Sequence, residues 1–74
     1  MRCKINIKPE NKDKYAKYLY EGLDGQEGEI VKYFDDWGDK MVRIRPDKVV
    51  SDFWGFDSDS WAIFADDVIP TTLL

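Results

Sequence analysis

Residues 3–8 alternate, with Cys3, Ile5 and Ile7 apolar and Lys4, Asn6 and Lys8 polar. Period two is the pattern of a strand with one buried face. Pro9 ends it, because proline cannot donate to a sheet ladder. The pattern then changes. Tyr15, Tyr18 and Leu19 fall at i, i+3 and i+4, with Asn11 placed to cap a helix and Gly22 to end it. A helix this short is marginal without tertiary support, so segment 11–21 reads as a short helix or an ordered loop. Gly22, Gly25 and Gly28 then mark a turn that needs positive φ angles.

The β-branched and aromatic run Glu29 to Phe34 predicts a strand. Residues 35–39 form a turn, and Met41 to Arg45 alternate again. Val42 and Ile44 point one way, and Met41, Arg43 and Arg45 point the other. The spacing predicts an antiparallel hairpin. Pro46 to Asp52 is a charged connection. Phe53-Trp54-Gly55-Phe56 reads as a short strand bent at its glycine, and Asp57-Ser58-Asp59 as a turn. Ser60 to Phe64 is a strand with apolar groups on both faces. One face enters the core, and the other needs a cover from 11–21, from a second copy or from another protein. Ala65 to Val68 reads as a tight or 3₁₀ turn, Ile69 as the start of a last strand, and 71–74 as a tail. The whole is mainly β: one domain over 1–70, with five short strands in a small barrel.

The turn-strand Gly25-Gln26-Glu27-Gly28-Glu29-Ile30-Val31 resembles the G-x-x-G-x-[IV] segment of SH3-like barrels, including KOW-type domains and photosystem-type accessory subunits. The run Trp61 to Pro70 is similar to the closing strand, acidic 3₁₀ turn and last short strand of such barrels. The resemblance implies an SH3-like barrel. A KOW-like function implies nucleic-acid or ribosome binding, but KOW domains that bind nucleic acid carry basic residues near this turn. Here Asp24, Glu27 and Glu29 stand there. The tract Tyr15 to Tyr20 is tyrosine-rich without the ALYDY order of peptide-binding SH3 domains.

Composition narrows the function. The 74 residues carry a net charge of −4, which argues against a general nucleic-acid binder. Residues 1–20 nevertheless hold six bases and two acids, so Lys12, Lys14 and Lys17 are the candidate patch for that alternative. No apolar run is long enough to span a membrane, and Met1 leads directly into charged residues rather than into a signal peptide. A single cysteine, Cys3, fits a reducing, cytoplasmic setting and reads as a small core hydrophobe. With no histidine there is no Ser–His or Cys–His pair, and no phosphate loop follows the glycines, so no enzymatic activity and no cofactor are expected. Asp57-Ser58-Asp59-Ser60 resembles the start of a calcium loop. An EF-hand is excluded because Trp61 and Val68 stand where ligands are required. A weaker site joining Asp57, Asp59, Asp66 or Asp67 competes poorly with a plain hairpin turn.

Aromatic residues carry the functional expectation. Trp37 in a turn and Trp54 beside a glycine are expected to be exposed, and aromatics bury area at little rotamer cost when they dock. The expected function is protein binding by a small adaptor, inhibitor or accessory subunit. Tyr33, Trp37, Phe53 and Trp54 anchor the partner, and Arg43 and Arg45 grip acids on it. A structural homo-oligomer is the other alternative. The Asp, Lys, Tyr and Ile content is similar to that of small phage and mobile-element proteins.

Overall fold

The computed structural model describes residues 1–71. It is mainly β, and its seven strands are β1 (Arg2–Ile5), β2 (Glu27–Asp36), β3 (Asp39–Pro46), β4 (Val50–Ser51), β5 (Asp57–Ser58), β6 (Trp61–Phe64) and β7 (Val68–Pro70). One helix, α1 (Lys17–Leu23), and two 3₁₀ segments, Pro9–Lys14 and Ala65–Asp67, complete the chain. Five strands form an antiparallel sheet in the order β6-β3-β2-β1-β7, and β4 and β5 form a small hairpin of their own.

The order is compatible with an SH3-like fold, but the sheet is not closed into a barrel. Strands β6 and β7 lie at opposite edges and do not pair, although only the three-residue Ala65–Asp67 turn joins them.

Alternation in the first strand survives intact: Cys3, Ile5 and Ile7 are buried, and Lys4, Asn6 and Lys8 are exposed. They join Leu23, Val42, Ile44, Val50, Ile63 and Val68 in one core, with Tyr15, Leu19, Tyr20, Ile30 and Trp61 packed around it. Fully burying a side chain such as Ile44 or Leu23 contributes roughly 1.5–3 kcal/mol. The β2–β3 hairpin runs from Gly28↔Pro46 to Asp36↔Asp39, with a bulge between Ile30 and Lys32.

Several sequence expectations change. Segment 11–21 is neither one helix nor one loop: the Pro9–Lys14 turn begins at the proline, and α1 follows after Ala16. Asn11 lies inside that turn instead of capping a helix. Gly22 does not end α1 but sits within it, where a Cβ would come 2.7 Å from Val50 Cγ1. Gly28 is a buried strand residue whose Cβ would come 2.5 Å from the Arg45 carbonyl oxygen. Of the three glycines only Gly25 has a positive φ. Residues 53–56 form the loop of the β4–β5 hairpin instead of a strand, and Asp57 and Ser58 form strand β5 instead of a turn. Thr71 donates its N–H to the Arg2 carbonyl at 2.9 Å, and the rest of the expected tail, 72–74, lies outside the described residues.

Segment 11–21 covers β6 from within the chain, at Phe64 and at the core-side Trp61. Tyr15 packs edge-on against Phe64 with ring centroids 5.6 Å apart, and Tyr18 against Trp61 at 6.1 Å. The pin is Asp67, fully buried in the last 3₁₀ turn. Its carboxylate accepts from the Lys8 backbone N–H (3.0 Å), from Asn11 Nδ2 (3.0 Å) and from the Tyr15 hydroxyl (2.7 Å). The Tyr15 oxygen in turn accepts from the Phe64 N–H at 2.9 Å. A buried carboxylate is tolerated when its lone pairs are filled in this way. These bonds span the chain and fix the long connection between β1 and β2 against the sheet.

Candidate interaction surface

Two groups of exposed aromatics stand at different places in the fold. The first is the tip of the β2–β3 hairpin. Trp37 and Gly38 form a two-residue turn with φ values of 51° and 85°, and positive φ at both positions is the type I′ pattern that matches strand twist. Trp37 is 99% exposed. Tyr33, further back along the β2 arm, is exposed as well, and a hollow of about 210 Å³ lies between Tyr33, Phe34, Asp35, Lys40 and Met41.

The second group is the β4–β5 loop. Phe53, Trp54 and Phe56 are 75%, 76% and 71% exposed, and the Phe53 and Trp54 rings meet edge to face at 5.0 Å. Asp52 holds the loop: its Oδ1 accepts from the Trp54 N–H at 2.8 Å and from the Phe56 N–H at 2.9 Å. Its backbone N–H donates to the Phe56 carbonyl, and its carbonyl accepts from Gly55. Ser51 Oγ donates to Asp57 Oδ1 at 2.6 Å below the loop. The rings are therefore presented on a hydrogen-bonded frame. An open groove of about 610 Å³ runs between Phe53 and the Ala16, Lys17, Tyr18 and Glu21 side of α1. Under its Tyr18 wall, the buried Trp61 Nε1 has no acceptor among the described residues.

The expected anchors thus do not form one patch. Trp37 precedes the first residue of β3, whereas Phe53 and Trp54 follow its last. Arg43 and Arg45 lie on the outer face between them. Arg43 donates to Ser60 Oγ at 3.0 Å, and Arg45 is exposed opposite Glu29. The lysines of the alternative patch are also spread. Lys12 lies over the Tyr20 ring at 6.0 Å, Lys14 over the Phe64 ring at 5.3 Å, and Lys17 is 3.8 Å from Glu21.

Among the described residues no three acids or cysteines are grouped as metal ligands. Asp67 is turned inward onto Asn11 and Tyr15, and Asp57 is taken by Ser51. Burial pushes the Cys3 thiol up from its ordinary value. Sequence reasoning missed Asp52 and Gln26, and weighed Asp67 only as a metal ligand. Gln26 donates to the Gly22 and Lys48 carbonyls and accepts from the Lys48 N–H. Nothing in the spacing of these polar residues marks them, because each acts on backbone far away or on its own loop.

Compared with known protein families, with curated proteins and with solved structures, the chain matches none. No helix among the described residues is long and apolar enough to cross a membrane.

Proposed function

We propose that this domain is a non-enzymatic protein-binding module that docks through its exposed aromatics. The observation that carries this reading is Trp37. It is almost wholly exposed at a positive φ, where asparagine, aspartate or glycine suits the turn better. A large apolar side chain there contributes nothing to the core and disfavours the folded backbone. Local choices of this kind are expected where function, not folding, sets the residue. The held Phe53-Trp54-Phe56 loop supports the same reading, because preorganised anchors lose little entropy on binding.

Within this proposal Trp37 and Trp54 fill partner pockets, Tyr33 and Phe53 extend the contact, and Arg43 and Arg45 meet acids at the rim. The order of strands, with a long connection after β1 and a 3₁₀ turn before β7, supports an SH3-like relationship. The setting is cytoplasmic, and the adaptor or inhibitor is of phage or mobile-element type. The test is affinity capture from lysate of the source cell or its host, with and without nuclease, using wild type, Trp37→Ala and Trp54→Ala. A discrete protein captured by wild type, resistant to nuclease and lost in either variant, is the expected result. Folded variants that both capture it undiminished would overturn the reading. Capture that vanishes with nuclease would favour a KOW-like role instead.

A further inference from the structure

Pairing register defines the outer face of the sheet. Val42 and Ile44 are fully buried, so Met41, Arg43 and Arg45 face outward, and cross-strand partners share that face. One row across it is Phe34 and Met41, each half-buried, and it ends at Phe64, which Tyr15 already covers. The next row is Lys32, Arg43 and Ala62, and Arg45 follows opposite Glu29. Lys32 Nζ lies 5.9 Å from the Phe34 ring, and Lys14 covers Phe64 at the far side.

The face is therefore an apolar row edged by cations. Among the described residues, Lys14, Lys32, Arg43 and Arg45 have no carboxylate within ion-pair distance, in a chain with fifteen acids and eleven bases. Glu29, the nearest acid by register, is engaged by the Met1 amine and by Arg2.

The complement to this face exists on the same molecule. The segment Asp52 to Asp59 carries three aspartates, three exposed aromatics and no base. We propose that the β4–β5 loop of one molecule docks on the outer face of the β2–β3–β6 sheet of a second copy. Trp54 and Phe56 lie along Phe34 and Met41, and Asp57 and Asp59 meet Lys32 and Arg43. This rests on the reading above that the exposed aromatics are docking anchors, and it names the occupant. Asp36 and Asp39 close the face toward the hairpin tip and repel an acidic loop there, which fixes its placement toward the Lys32 row. The same two aspartates disfavour a nucleic-acid strand, whose charge is continuous rather than set at two points.

Loop and face are different surfaces, so the contact is head-to-tail and leaves one of each free. The exposed rings offer roughly 500 Å², below the ~800 Å² per partner of a standard interface. Association is therefore weak and rises with concentration.

The experiment is sedimentation velocity from micromolar to millimolar protein, at low and high salt. Wild type is expected to show mass rising with concentration and falling with salt. Two variants separate the surfaces: Trp54→Ala with Phe56→Ala removes the loop, and Lys32→Glu with Arg43→Gln removes the face. Circular dichroism confirms that each is folded. Each alone is expected to be monomeric, and their equimolar mixture is expected to form a one-to-one dimer and nothing larger, since only one live interface remains. If the face variant is misfolded, Lys32→Glu with Arg45→Glu replaces it. A wild type that stays monomeric overturns the inference, as does association that survives either variant or a mixture that does not reassociate. A monomeric wild type that captures a foreign protein through Trp54 overturns self-docking and leaves the docking function standing. A monomeric wild type that instead binds an oligonucleotide through Lys32 and Arg43 overturns it in favour of nucleic acid.

Discussion

Trp37 occupies a backbone conformation that disfavours L side chains by roughly 1–2 kcal/mol. Replacing it with asparagine, which suits a type I′ turn, should remove much of that strain. Trp37→Asn is therefore expected to raise stability by about 1 kcal/mol, read as a higher urea midpoint with an unchanged slope. The same variant should lose partner capture. Greater stability with lost binding is the signature of a residue kept for contact; unchanged or lower stability would show that the tryptophan supports the hairpin.

Tyr15 is the opposite case, a polar group kept for the fold. Its hydroxyl donates to Asp67 and accepts from Phe64, so Tyr15→Phe should lower stability by about 1–3 kcal/mol in denaturant titrations. Burial first, and the hydrogen bond to Asp67 second, push its acidity well above the ordinary phenol range. The folded state thus holds the phenol proton more tightly than the unfolded state does. The stabilisation is complete below the ordinary value of 10.0 and falls as pH rises beyond it. A scan of melting temperature against alkaline pH should fall less steeply for Tyr15→Phe than for wild type.

Between elements, α1 packs closely on β4. Gly22→Ala improves helix propensity by about 1 kcal/mol, yet its new methyl would press on Val50. Overpacking typically costs about 1–3 kcal/mol, so net destabilisation is expected. A double-mutant cycle with Val50→Ala should show favourable coupling, because the smaller partner relieves the clash.

This contact also marks the limit of what the sequence could tell. Elements set by local alternation were readable: β1, the β2–β3 hairpin, β6, the 3₁₀ turn and β7. Exposure of Trp37 and Trp54 was readable too, from a turn and a neighbouring glycine. Glycines 22 and 28 were misread because their reason is a distant backbone or side chain, not their own φ. The 53–56 run was misread as a strand because its aromatics fit a pleated surface, whereas Asp52 ties it into a loop. The division of the aromatics between a hairpin tip and a second loop depends on topology, which no local pattern reports.

At the scale of the molecule, the core is continuous from Cys3 in β1 to Val68 in β7. A thiol at the centre of such a core reacts only when the domain opens. Ellman's reagent should therefore modify Cys3 at a rate that tracks global unfolding and rises steeply with urea. Fast modification in native buffer would mean that β1 detaches locally.

The Asp67 pin has a consequence in time. Its acceptor oxygens serve donors 59, 56 and 52 residues earlier in the chain, and β7 completes the edge of β1. A chain made from its N-terminus can form the β2–β3 hairpin early and add β1 to it, but the second edge of β1 and the long connection must wait for residues 65–70. Such non-local closure places folding in the slower, roughly millisecond-to-second, class of small domains. During synthesis, the cysteine strand stands unpaired on one edge until residues 68–70 are joined.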